Sequence, residues 1–237
     1  MKRIIWLTCL LLSLCLGAAA LTIYDVQYTA SRGVDGSYPS PWLGKQVTLE
    51  GIVTATGYRG EGFFLSEKVS GAWRGIYVLD SRHHPAVGSY VRLTGEVAEN
   101  YGMTCLRDLS SLKMLDRKRT LPSPVVISTG QLANAMEAEA YEGVYVRLVN
   151  ASVTGVKSRN ASFTVNDGSG QCGVTLQSFG NKASTPAVGT QFAQIVGLVT
   201  FSYGEYQLNP VSAGGMQVQQ PVSVQNRSWG KIKSIYK

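Results

Sequence analysis

Pro85-Ala86-Val87-Gly88 returns as Pro186-Ala187-Val188-Gly189, 101 residues further on, and this recurrence decides how the chain is read. Downstream of it, Tyr101-Gly102 with Leu106 is matched by Tyr203-Gly204 with Leu208 at an offset of 102. Upstream, Val53-Thr54 matches Val153-Thr154, and Phe63 to Glu67 matches Phe163 to Asp167, both at an offset of 100. Matches in unchanged order at so steady an offset mark two copies of one unit, with single insertions falling in loops.

Each copy is written in β-strand language. Val47-Thr48-Leu49-Glu50, Ile76-Tyr77-Val78-Leu79 and Tyr90-Val91-Arg92-Leu93-Thr94 alternate, as do Val144 to Leu148, Phe163 to Val165 and Val174 to Leu176. Asp167-Gly168-Ser169-Gly170 supplies a turn, because glycine accepts the positive φ that such turns need. About five strands per copy predict a small closed barrel. Only Gln131 to Tyr141 reads as helix, rich in Ala, Met and Glu, with Thr129 as its expected cap. Leu121-Pro122-Ser123-Pro124 cannot continue a strand ladder, so the copies divide near residue 120. The expected fold is all-β: two tandem five-stranded barrels, 21–120 and 121–216, joined by a short helix.

The two ends are of another character. Lys2-Arg3, an apolar run from Ile4 to Leu16 and Gly17-Ala18-Ala19-Ala20 form the charged, apolar and small-residue order of a secretory signal. Cleavage is expected after Ala20, giving a secreted protein, periplasmic or extracellular. No later stretch approaches the roughly 18 apolar residues that span a bilayer. Residues 217–237 read as a polar linker followed by a basic and aromatic peptide, Trp229 to Lys237, which could meet a protein or cell-surface partner; the alternative function is an extracellular structural or interaction protein attached or sorted through it.

The net charge of +7 suggests nucleic acid until it is divided along the chain. Lys2 and Arg3 leave with the signal, and Arg227, Lys231, Lys233 and Lys237 sit in the last segment. That leaves sixteen basic against fifteen acidic residues between 21 and 216, a nearly neutral body. Of the four cysteines, Cys9 and Cys15 lie in the signal; Cys105 and Cys172 fall in different copies and are expected to be buried thiols.

Catalytic patterns are absent from the sequence. His83 and His84 are the only histidines and are adjacent, with no cysteine or carboxylate cluster to complete a metal site. There is no G-x-S-x-G motif, and Asp167-Gly168-Ser169-Gly170 lacks the further acids of a calcium loop. The expectation is a non-enzyme without metal or cofactor.

Gly51-Ile52-Val53-Thr54, Gly62-Phe63-Phe64-Leu65, Trp73 to Val78, Val87-Gly88 and Tyr101-Gly102 resemble the OB-fold modules carried ahead of the catalytic domain in secreted bacterial nucleases. The second copy is similar through Tyr141-Glu142-Gly143-Val144, Val165 to Gly170 and Tyr203-Gly204. The resemblance spans roughly residues 22–216 and implies the accessory role, binding of nucleic acid or another ligand, single-stranded nucleic acid being the expected partner, because no counterpart of the nuclease domain is read in the sequence. OB barrels bind on the outer face of strands two and three. With Phe63, Leu65, Ile76 and Val78 inward, Phe64 and Tyr77 face outward. Tyr58, Arg59 and Arg74 lie at nearby turns and Tyr101 in the later loop, so copy one is the expected ligand site. For Phe64 and Tyr77 packing against the second barrel or the tail is the reading placed ahead of ligand contact, and for Arg59 and Arg74 that of solvated turn residues. Copy two offers only Thr164 and Thr175 at the corresponding outward positions.

Overall fold

The structure, a computed structural model, describes residues 21–34, 36–157 and 161–220. The expected signal, residues 1–20, and the Trp229–Lys237 peptide lie outside the described residues. What is described is mostly β, with a closed five-stranded barrel followed by a second sheet.

The first half contains β1 (Gln46–Thr56), β2 (Phe63–Ser66), β3 (Gly75–Val78), β4 (Tyr90–Asn100) and β5 (Met103–Asp116). They close in the order β1-β2-β3-β5-β4, with β3 and β5 parallel and the other pairs antiparallel. Alternation sends Val47, Leu49, Val53, Phe63, Leu65, Ile76, Val78, Val91 and Leu93 into one core. The β1–β2 register shifts between Val53 and Ala55. Such a bulge lets a long strand bend around a small barrel.

The second half runs β6 (Val125–Val126), β7 (Tyr145–Lys157), β8 (Ser162–Asn166), β9 (Gln171–Thr175), β10 (Gln191–Ser202), β11 (Glu205–Asn209) and β12 (Met216–Val218). Its sheet order is β12-β10-β11-β9-β8-β7-β6, and β10 pairs with β7 as well. The details of the first half recur: β9 and β11 are parallel, and the β7–β8 register shifts between Val153 and Gly155. Val146, Leu148, Phe163, Val165, Val174, Ile195 and Leu208 form its own core.

The helical prediction needs correction. Gln131–Tyr141 is not one helix; α2 (Thr129–Ala133) and α3 (Ala135–Glu139) are separate turns, broken at Asn134. Asn134 caps the second turn by accepting from the Met136 N–H at 3.1 Å, a local bond that competes with helix continuation. The cap of the first turn is Ser128, not Thr129, in a capping box with Gln131. The first half also opens on a short helix, α1 (Ile23–Gln27), with a capping box between Thr22 and Asp25. Both helices hook onto an acid that follows the second strand of their half. Tyr24 N–H donates to Glu67 Oε1 at 2.8 Å, and Thr129 N–H to Asp167 Oδ2 at 3.0 Å. The repeat therefore reaches further toward the N-terminus than its sequence matches do.

Candidate ligand-binding faces

Alternation within β2 and β3 turns Phe64 and Tyr77 out of the first barrel, as expected from the sequence, but not into solvent. Phe64 is 0% exposed, and Tyr58 and Tyr77 are each 2% exposed. The three rings pack on one another at centroid separations of 5.0 to 5.3 Å. From the second half Phe179 closes over them, 5.4 Å from Tyr58 and 5.9 Å from Phe64. Leu198, Tyr145 and Phe201 complete this third cluster, together with Ala55, Ala98, Met103 and Cys105. A base cannot stack on rings sealed in this way, so Phe64, Tyr77 and Tyr58 are corrected from ligand contacts to an internal interface. Burial pushes the Tyr77 phenol up, and its hydroxyl donates to the Glu61 carbonyl at 2.8 Å. Cys105 and Cys172 are buried free thiols, both pushed up to about 12 by burial.

The other three expected site residues are scattered. Arg59 lies over the Tyr58 ring at 5.3 Å and donates to Ser202 Oγ of the second half at 2.7 Å. Arg74 pairs with Glu67 and covers Tyr24 at 5.5 Å. It borders a separate groove of about 910 Å³ whose walls include Leu21, Trp42, Val47 and Tyr90. Tyr101 sits at the β4–β5 turn, 83% exposed and at φ 54°, away from the buried rings.

Strand register gives the equivalent places in the two halves. Across the first barrel one row reads Ala55, Phe64, Tyr77, Cys105, Ala98. The same row in the second half reads Gly155, Thr164, Gly173, Gln207, Thr200. The counterpart of Tyr77 is thus Gly173, and Thr175 stands two residues along the same face.

This second face is polar and borders open grooves, although Thr164 and Thr200 within the row are themselves buried. Thr154 and Thr164 share a hydroxyl contact at 3.0 Å, Thr154 donates to Gln171 Oε1 at 3.1 Å, and Thr175 donates to Gln207 Oε1 at 2.6 Å. A groove of about 470 Å³ runs over it, walled by Arg59, Lys157, Thr175, Gln177, Tyr203 and Gln207. A smaller hollow of about 250 Å³ continues past Lys157 along Thr164, Gln171 and Glu205. Tyr203, at the β10–β11 turn, is 94% exposed. Glu205 reaches Lys157 at 3.7 Å, an acid beside one of the groove's two cations. On this register row accessibility reverses the ranking read from sequence: copy one's row is sealed and copy two's borders a groove, while the first half keeps its separate groove beside Arg74.

A sequence signal for the covering existed. Ile195-Val196-Gly197-Leu198-Val199 is continuously apolar where a barrel strand with one wet face should alternate, which marks a strand covered on both sides.

No protein-family profile and no curated protein matches the chain. Solved structures overlap it weakly. The p204 HINb domain does so at 14% identity and a TM-score of 0.31, over 72% of this chain and 95% of that one. The Ifi202 HINa domain in complex with 20 bp dsDNA gives 10%, 0.32, 75% and 96%. A murine DNA-binding protein bound with double-stranded DNA gives 14%, 0.32, 73% and 97%. Overlaps of that size do not establish a shared fold.

Proposed function

We propose that the chain is an exported, non-catalytic binding protein of two OB-like barrels. In this reading the first barrel's strand face seats the second barrel, and the second barrel's face takes single-stranded nucleic acid. The observation that carries it is the contrast within one register row, apolar and sealed in the first half, polar and bordered by a solvent-open groove in the second. Support for a second barrel divided off near residue 120 comes from the circuit of pairings β7–β8, β8–β9, β9–β11, β11–β10 and β10–β7. The likeness of both copies to modules accompanying secreted nucleases, and the signal-like first twenty residues, support export and the ligand class.

Along the groove Lys157 and Arg59 offer two cations to phosphates, Tyr203 offers a ring to a base, and threonine and glutamine side chains offer hydrogen bonds. One ring contributes about 1 to 3 kcal/mol, and the Glu205 carboxylate competes with phosphate for Lys157, so binding is weak. Two phosphate contacts give a shallow salt slope, log K against log salt of about −1.4 on a single strand.

Fluorescence anisotropy of a labelled oligonucleotide on the full chain checks this. Binding should show that slope and weaken by about fivefold or more in Tyr203→Ala, while Tyr101→Ala, at the equivalent turn of the first half, leaves it unchanged. No measurable binding, or a Tyr203→Ala, Lys157→Gln double variant that behaves as wild type, would sink the assignment. Sequencing the N-terminus of the exported product should begin at Leu21; a start at Met1 overturns the signal reading.

A further inference from the structure

Three glutamates meet where the two halves touch. Glu99 belongs to β4, Glu139 ends α3, and Glu142 lies between α3 and β7. Thr104 of β5 ties two of them together. Its backbone N–H donates to Glu142 Oε1 and its hydroxyl to Glu99 Oε1, each at 2.8 Å. The Ser40 N–H adds a donor to Glu99 at 3.2 Å, and the Tyr206 hydroxyl of β11 donates to Glu139. Glu139 is 3% exposed and Glu142 2%, and Oε2 of Glu142 has no hydrogen-bond partner. The backbone of Glu142 is part of the same crossing: it bridges Val199 of β10, and its carbonyl accepts from Gln27 Nε2 of α1 at 3.4 Å.

Charge on Glu139 and Glu142 is poorly provided for. An ionised carboxylate in an interior needs a cation or a full set of donors to replace water, and a neighbouring carboxylate makes its ionisation harder. Glu142 is acted on by burial, by Glu139 and by Glu99, with only the Thr104 amide favouring its charged form. Burial pushes Glu139 up to about 7, the Tyr206 hydroxyl opposing and Glu99 assisting. Tyr206 in turn meets Glu139, Glu142 and Tyr38, while Cys105 meets Glu99, Glu142 and Arg107. The orphaned Glu142 oxygen is more tolerable on a neutral acid than on an anion.

We propose that this cluster makes the seating of the second half on the first barrel proton-dependent, tight while Glu139 and Glu142 hold protons and loosened when they ionise. The direction follows from linkage. At low pH both folded and unfolded chains carry neutral carboxyls, and the cluster changes nothing. As pH rises from the ordinary value of 4.5 toward about 7, the unfolded chain releases its protons first and stability falls. Loosening would uncover the Phe64–Tyr77 face, because β10, bridged by Glu142 at Val199, also carries Leu198 and Phe201, which help to cover it.

Hydrogen exchange and thermal unfolding of the full chain, compared at about pH 5.5 and pH 8, test the device. After correction for intrinsic exchange, protection of residues 63–78 and 98–105 should fall by roughly tenfold at the higher pH, while 91–97 inside the first barrel holds. The unfolding temperature should drop by on the order of 5 °C. A Glu139→Gln, Glu142→Gln double variant should lose both responses, and Glu96→Gln, at a surface ion pair, should keep them. Should the double variant not fold, Glu139→Gln alone, which still accepts from Tyr206, must reduce the response. Wild-type protection that is equal at the two pH values, or a response undiminished in the glutamine variants, overturns the proposal.

Discussion

The rows Ala55-Phe64-Tyr77-Cys105-Ala98 and Gly155-Thr164-Gly173-Gln207-Thr200 occupy one register position in two copies of a strand pattern, yet they meet different surroundings. The first is roofed by Phe179, Leu198 and Phe201, and the second lies under an open groove. Duplication explains the contrast physically. Two β halves in one chain gain by burying apolar area against each other, and the face richest in aromatic rings yields most, since each ring buries about 150 to 250 Å². The face left over stays polar, which keeps it from recruiting a third barrel.

The contrast breaks most readily at Phe64. Phe64→Ala opens a cavity between the halves and is expected to cost about 3 to 5 kcal/mol in a urea melt. On the other face Thr175→Ala removes one half-exposed hydrogen bond to Gln207 and should cost under about 1 kcal/mol. Equal losses in the two variants would mean that the first face is not a structural interface.

A second break, smaller in expectation, lies at the closest approach of the halves. A Cβ on Gly75 would stand 2.1 Å from the Gly143 carbonyl oxygen and 2.8 Å from Val144 Cα, backbone atoms that cannot swing aside. Trp73 N–H donates to the Ala140 carbonyl at 2.6 Å just beside this crossing. Gly75→Ala should therefore destabilise by about 1 to 3 kcal/mol and speed proteolysis between the halves. The register equivalent of Gly75 is Gln171, which is exposed, and Gln171→Ala should move the unfolding midpoint little. A Gly75→Ala protein as stable as wild type would show that the halves do not abut there.

Sequence carried the repeat, the strands and the outward direction of Phe64 and Tyr77, because these depend on local period and on self-similarity. What covers an outward residue depends on a partner far along the chain; for Phe64 it is Phe179, which no spacing rule connects to it. Hence the face was legible and packing against the second copy was one of its two readings, but the covering residues were not, apart from the unbroken apolar run at Ile195 to Val199. The open face escaped for the complementary reason. Threonine and glutamine are ordinary strand residues, and only the three-dimensional row sets them beside Lys157, Arg59 and Tyr203. The capped helices lay between these cases. Thr22-Ile23-Tyr24-Asp25 and Ser128-Thr129-Gly130-Gln131 carry the capping-box pattern in plain sequence, but helices of five residues are too short to show an amphipathic period.

The smallest expected effect would sharpen the parallel between the copies. Asp167 accepts from the Thr129 N–H and hydroxyl and from the Ser169 N–H, fastening α2 to the turn after β8. Partial burial pulls its carboxyl upward, but the donors of Ser169 and Thr129 outweigh that and hold it at about 2. A carboxyl lowered on folding adds stability above its unfolded value of 3.8 and loses it as pH falls through about 2. Asp167→Asn should accordingly cost about 1 kcal/mol near pH 6, with the difference from wild type shrinking toward pH 2 in paired urea melts. Glu67, which holds Tyr24 N–H in the same way, provides the matching test, and Glu67→Gln should loosen α1 alone. If Asp167→Asn loosens α1 as well, the two hooks are not independent copies and the repeat ends at the strands.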